Sequence, residues 1–366
     1  MEAYWYWFCH ELYLERVWAR ELLGHYGSPR AVFEAEEEDI KKHFPKKAVR
    51  YGDMLRRRRE WEPEEAFAEL QRKEIQFYSS KRPEFPSLLK RIPDSPLGLF
   101  VRGNLPREEA LSVAVVGARR CSSYGRMASI SFAGGLAEQG VQIVSGMAAG
   151  VDGYAHRGAL DRGKATYAVL GCGVDVCYPR QNQDLYQAIP RSGGLISEYP
   201  PGTPPLSRLF PLRNRLISGL CQAILVVEAR ERSGSLITAD LALEQGRDVF
   251  AVPGRVGDTL SEGCNRLISQ GAFMALTPEG LLESLGVELP KKGTRGEKYK
   301  KSLESSELLV YSCLGLQAQH IEEICSRTGL SLLQTMKILV SLEVKGCVCE
   351  VRKNYYSREH VSSSKA

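Results

Sequence analysis

The residues able to do chemistry fall in a few short strings rich in glycine, arginine and serine. VVGARRCSSYG puts Gly117, which allows a tight turn, before Arg119 and Arg120, then Ser122 and Ser123. A helix starting at those serines would offer free N–H groups to an anion. SGMAAGVDGYAH supplies Gly146 and Gly150 for close backbone approach, Asp152 as a helix cap, and His156 one turn further. LGCGVDVCYPRQN contributes Arg180 and Asn182 behind a Gly171/Gly173 turn. In SRLFPLRNRLISGLC, Arg208, Arg213, Asn214 and Arg215 gather around Phe210. Guanidinium groups pair with phosphate and an aromatic ring stacks on a base, so this mixture suits a single strand of nucleic acid. ARERSGSLIT places Ser233, Gly234 and Ser235 at a helix start with Thr238 one turn in, the strongest anion seat in the chain.

Each string also has a plain reading. Caps and solvated arginine turns would need the same residues, and an Arg–Asn turn could simply brace the next helix. Asp152 and His156 are expected to be a cap and a packed histidine, because no nucleophile accompanies them. Nor do the loops match a dinucleotide fingerprint: Gly117 is followed by Ala118 and Arg119, not by the second glycine of GxGxxG. No Walker sequence, HExxH, GxSxG or paired carboxylates occur. The expectation is a binding protein with no catalytic residues, no cofactor and no metal. The ten cysteines form no CxxC pair and read as reduced thiols.

These loops need strand ends to hold them. Apolar runs at Ser112–Val116, Val141–Val144, Thr166–Leu170, Leu195–Ser197, Ala223–Val227 and Val249–Val252 alternate with helical stretches such as Gly125–Gln139, Asp152–Asp161 and Leu236–Gln245. That alternation predicts an α/β fold, a Rossmann-type doubly wound parallel sheet with ligands at the carboxyl ends of its strands. Residues 1–80 have apolar positions at helical spacing and predict an N-terminal helical domain. A Pro-rich lead-in from 81, with one short strand in LGLFVRG, opens the sheet domain, which runs to 288. Residues 289–304 form a basic linker. Residues 305–366 predict helices Glu307–Leu314, His320–Arg327 and Ser331–Lys345 and then a hairpin, a winged helix-turn-helix.

The 366 residues suit two or three domains at roughly 150 residues each. The net charge of +5 equals that of residues 290–301 alone, which hold six basic side chains and Glu297. Between 111 and 285, 16 basic residues oppose 15 acidic ones, and all but Lys164 are arginine. A focused pocket therefore fits better than a broad basic face. No secretory signal or membrane-length apolar run is read in the sequence, so the expected location is cytoplasmic.

Taken in order, VVGARRCSSYG, IVSGMAAGVDGYAH, AVLGCGVDVCYPRQN, SEYPPG, FPLRNRLISGLC, VVEARERSGSLITADLALEQGRDVFAVPG and EGCNRLISQGA resemble the DNA-processing protein A (DprA/Smf) family over about 85–285. The resemblance implies a sterile-alpha-motif-like (helix-hairpin-helix-like) domain before the sheet and a winged helix after it. It implies a cytoplasmic single-stranded DNA-binding protein that protects incoming DNA in natural transformation and loads the RecA recombinase. Such proteins act as homodimers through the Rossmann-type domain. Carried over residue by residue, the DNA pocket would comprise Gly117, Arg119, Ser122, Gly146, Arg180, Asn182, Phe210, Arg213, Asn214, Arg215, Ser233, Gly234 and Ser235. Cys264 and Ala149 depart from the family pattern, which would weaken the last loop and remove one cationic contact. The alternative is a Rossmann-type enzyme on a nucleotide or sugar phosphate, phosphoribohydrolase-like, because the serine seat would cradle a single phosphate equally well. A third reading makes the winged helix the DNA reader, although its third helix has only Lys337 and Lys345 as basic groups.

Overall fold

The computed structural model describes residues 1–45, 52, 54, 57, 58, 60–288, 304–315 and 317–358. The basic linker lies outside the described residues except for 304.

Strands β1 (Gln76–Ser79), β2 (Gly98–Gly103), β3 (Ser112–Val116), β4 (Gln142–Ser145), β5 (Thr166–Val169), β6 (Gly194–Ser197), β7 (Ala223–Val226), β8 (Asp248–Ala251) and β9 (Phe273–Met274) make one sheet. Their order is β1-β2-β6-β5-β4-β3-β7-β8-β9. From β6 to β9 all neighbours are parallel, whereas β1–β2 and β2–β6 are antiparallel. The six apolar runs read from sequence are β3 to β8, buried along almost every residue because helices cover both faces. LGLFVRG supplies β2 as expected. β1 was not anticipated: QFYS sits in a stretch that reads as helical, and it extends because β2 offers a hydrogen-bonding partner. The strand order reverses between β3 and β7, which is the switch point of a doubly wound sheet.

The N-terminal helices Glu2–Leu12, Arg16–Tyr26, Pro29–Glu34, Glu37–His43 and Pro63–Arg72 share one core with the antiparallel end of the sheet. Trp7, Phe8, Phe77 and Phe100 are fully enclosed there, and the Phe77 and Phe100 rings lie 5.2 Å apart across β1 and β2. C-terminal to the linker, helices Ser305–Cys313, Ile321–Thr328 and Leu332–Val344 are followed by β11 (Val348–Arg352) and β12 (Tyr355–Arg358), with β10 (Gln319–His320) added to the hairpin. This is the winged helix, with its own small core around Val310, Ile324 and Leu339. Its third helix leaves Leu332, Leu333, Met336, Val340 and Val344 exposed, an apolar face rather than a cationic one. No helix of the described residues is long and apolar enough to cross a membrane.

Candidate nucleic-acid interface

At the switch point the carboxyl ends of β3 and β7 open into a cleft of about 350 Å³. Gly117, Arg119, Phe210, Arg213, Asn214, Ser233, Gly234 and Ser235 all line it, so the cleft collects eight of the thirteen predicted residues from three separate loops.

Phe210 lies at its centre, half-buried on the first turn of helix Leu209–Gly219. The Arg119 guanidinium sits 5.6 Å from the ring centroid, the Arg213 guanidinium 5.8 Å, and the Tyr178 ring 5.5 Å. The two arginines have different tasks. Arg119 is exposed and has no ion pair among the described residues, so its charge faces solvent and any ligand. Arg213 is buried, and its Nη1 donates to the Gly146 carbonyl at 2.9 Å and to the Val169 carbonyl. It anchors the loops after β4 and β5 from below. Burial holds its pKa below the ordinary arginine value, against the opposite pull of Asp152.

Gly146 belongs to that support rather than to the cleft wall. A Cβ there would stand 2.7 Å from Asp152 Oδ2 and 2.9 Å from Arg213 Nη1, so only glycine lets the two side chains close over it. Asp152 does not cap its helix. The cap is Gly150, at φ 77°, and the Asp152 carboxylate instead accepts the N–H groups of Gly146 at 3.1 Å and Ala148 at 3.4 Å. Burial pushes its pKa up, opposed by Arg213 and those N–H groups. Asn182 is a second brace, donating from Nδ2 to the Met147 carbonyl at 2.9 Å and the Ala148 carbonyl at 3.1 Å. Arg180 is exposed on the short turn Arg180–Asn182, just beyond Tyr178.

The serine seat forms as expected. Ser233 caps helix Gly234–Glu244 by accepting the Ser235 N–H, the two hydroxyls are 2.8 Å apart, and the Gly234 carbonyl accepts from Asn214 Nδ2 at 3.4 Å. Thr238 and the exposed Arg232 complete this wall. At Ser122 the outcome differs from the predicted phosphate site. Ser122 caps helix Ser123–Glu138, but the buried Glu228 carboxylate accepts both its N–H, at 2.8 Å, and its hydroxyl. That helix end already holds an anion supplied by the chain itself. Gly117 lies against the same place: a Cβ would be 2.9 Å from the Glu228 carbonyl oxygen.

Arg215 faces away from the cleft. Its Nη2 donates to both carboxylate oxygens of Glu198, at 2.7 and 2.8 Å, and its Nε donates to Asp94 Oδ2 at 3.0 Å. Cys264 is fully buried under β7, its Sγ 3.6 Å from the Val226 carbonyl. Three participants were missed in the sequence: Tyr178, two residues before Arg180; Arg232, which directly precedes Ser233; and Glu228, whose role depends on a partner 106 residues away. For the first two, the signal was an aromatic and a cation immediately beside strings already singled out.

His156 is sealed rather than catalytic. Its Nδ1 meets Thr166 Oγ1 at 2.7 Å, its Nε2 has no partner, and burial lowers its pKa to about 3. The unfolded imidazole titrates near 6.5. The folded state thus favours the neutral ring: its contribution is complete above about pH 6.5 and is lost as pH falls from there toward 3. We expect the sheet domain to lose about 2 kcal/mol between pH 7 and pH 5 through this group, and His156→Gln to flatten that limb in urea unfolding. An unchanged slope in the variant would refute the assignment.

Residues 76–286 match the family model for DNA recombination-mediator protein A, and residues 298–352 match the DprA winged helix domain. Protein Smf of Escherichia coli is 40% identical over 279 residues, 74% of this chain and 74% of that protein. DNA processing protein DprA of Streptococcus pneumoniae is 46% identical over 198 residues, 54% of this chain and 70% of that one. The X-ray structure of the S. pneumoniae protein superposes with a TM-score of 0.59 at 40% identity, covering 65% of this chain and 82% of that one. The structure of DNA processing protein A from Helicobacter pylori, described in terms of its single-stranded DNA binding mode, gives a TM-score of 0.51 at 30% identity and covers 57% and 95%. With more than half of its length matched by the family model, the chain belongs to the DNA recombination-mediator protein A (DprA/Smf) family.

Proposed function

We propose that the switch-point cleft binds single-stranded DNA without base specificity. The observation that carries this reading is Phe210 with the Arg119 guanidinium from the loop after β3 at 5.6 Å and the Arg213 guanidinium of its own helix at 5.8 Å, beside an open serine-capped helix start. A ring of this kind stacks any base, and the cations and helix N–H groups take the flanking phosphates. The directly contacting set is Gly117, Arg119, Phe210, Asn214, Ser233, Gly234 and Ser235, with Arg180 extending it. Arg213, Gly146 and Asn182 position the loops. The chain acts as a binding protein rather than an enzyme; Asp152 and His156 support this, since both are committed to internal hydrogen bonds.

On the same reading the protein protects DNA entering the cell and loads the RecA recombinase onto it. It works in the cytoplasm, where its ten free thiols stay reduced. Dimerisation through the Rossmann-type domain is supported by the terminal strand β9, which leaves Phe273, Met274 and the following Leu276 exposed. The winged helix serves a protein contact, consistent with its apolar third helix. The test is a mobility-shift assay of the full chain with oligo-dT and with a duplex of equal length, across salt. Preferred retention of the single strand, weakening as salt rises, is the expected result. Equal affinity for both forms would overturn it.

A further inference from the structure

A cavity of about 870 Å³ lies well away from the switch point. Gly103 pairs with Gly194 at the start of β6, so this pocket opens beside the amino ends of the parallel strands, whereas the cleft lies at their carboxyl ends. Its floor is apolar, made of the buried Ile75 and Phe77. Its walls come from helix Pro63–Arg72, strands β1 and β2, and helix Gln183–Ser192.

The rim has a consistent chemistry. Arg82, Arg102 and Arg191 converge on it, and Glu74 is the one carboxylate in the lining. Arg82 is partly committed, to Glu84 at 3.0 Å and to the Tyr78 ring at 4.9 Å. Arg102 lies 5.9 Å from the Tyr186 ring and has no carboxylate partner among the described residues; nor does Arg191, which is exposed. Two guanidinium groups without counter-ions and the amides of Gln71 and Gln187 make a polar rim over the apolar floor, whereas the Gln76 amide is taken by the Gly103 carbonyl and the Tyr78 hydroxyl. Guanidinium forks match phosphate oxygens, their planes stack on a base, and amides bond to base edges. An apolar floor with a few convergent polar groups, at this volume, is the usual form of a small-ligand site. An acidic peptide would use the cations but leave the side-chain amides without a role.

We propose that this pocket is a second site, for a phosphate-bearing nucleotide, either free or as one unit of a strand. It is independent of the switch-point cleft. The test uses the full chain carrying Arg119→Glu, which disables the cleft and leaves the pocket intact. Thymidine monophosphate, oligo-dT, inorganic phosphate and a polyglutamate peptide are titrated into it by calorimetry. The expected result is residual binding of a nucleotide probe that falls at least tenfold when Arg102→Gln and Arg191→Glu are added. Because Arg102 touches Tyr186, Arg191→Glu alone, at an exposed position, serves as the variant that preserves folding, and it must show the same direction. Saturation by the monophosphate identifies a free nucleotide as ligand; binding of oligo-dT alone identifies a strand. Absence of residual nucleotide binding, indifference to both pocket variants, or stronger binding of phosphate or polyglutamate than of nucleotide would each overturn the proposal. Failure of the switch-point reading would show differently, as Arg119→Glu leaving oligo-dT affinity unaltered.

Discussion

Arg215→Ala destabilises the chain by about 3–5 kcal/mol, the cost of breaking a buried ion pair by removing one partner. The side chain is 6% exposed and its partner Glu198 5%, so the carboxylate left behind has little access to water. The pair is the hub of a larger network. Arg16 reaches Glu198 at 3.3 Å and Asp94 at 3.1 Å, Arg20 reaches Asp94 at 3.0 Å, and Arg215 holds both acids. Burial tends to raise the Asp94 pKa, but Arg215, Arg16 and Arg20 outweigh it and hold the carboxyl below its usual range. The network ties an N-terminal helix, the Pro-rich segment and the end of β6 to the helix that presents Phe210. Urea unfolding measures the loss, and Arg215→Lys, which keeps the charge but not the fork, recovers part of it. The folded fraction of the lysine variant keeps its oligo-dT affinity within about twofold. A stable Arg215→Ala chain with collapsed DNA affinity would mean that this arginine faces the strand after all.

The opposite profile is expected of Arg119→Ala combined with Arg232→Ala. Both side chains are exposed on the cleft and neither has an ion pair among the described residues, so stability changes by no more than about 0.5 kcal/mol. Affinity for oligo-dT falls by about 1.5 kcal/mol for each lost charge-assisted contact, a little over tenfold each. The dependence of log K on log salt flattens by about 0.7 per phosphate contact, or about 1.4 for the pair. Filter binding between low and moderate salt reads both quantities. Weakened affinity with an unaltered slope would show that the arginines act by shaping Phe210 rather than by pairing with phosphate.

These two profiles separate residues that look alike in the string LRNR. Arg213 and Arg215 are two positions apart, about 200° around a helix, and so they point to different sides. Sequence reading found that arginines gather around Phe210, because the clustering is local. It did not find which arginine is structural, because Asp94 lies 121 residues away. The same limit explains β1: Phe77 and Tyr78 suit a strand, but the run is only four residues long and its partner Gly98–Gly103 lies beyond the Pro-rich turn. The six central strands were legible because burial on both faces demands continuous apolar runs. The serine seat was legible because a helix cap is a local event that needs only Ser233, Gly234 and Ser235. Glu228 was not, since an acid at a strand end says nothing of which helix it will meet.

Glu228 has a consequence for selectivity. In a doubly wound sheet two helix starts flank the switch point, and here their electrostatic values differ. The one at Ser122 is neutralised by an internal carboxylate, while the one at Ser233 remains open. A compact ligand with two linked phosphates at that crevice would bring its charge toward a fixed negative group. At about 4 Å and an effective dielectric of about 20, like charges repel by about 4 kcal/mol. A long polyanion threading past the open helix start avoids that encounter. If the cleft binds a single strand as proposed, it would favour a long polyanion over a compact diphosphate because of a carboxylate spent on its own helix start.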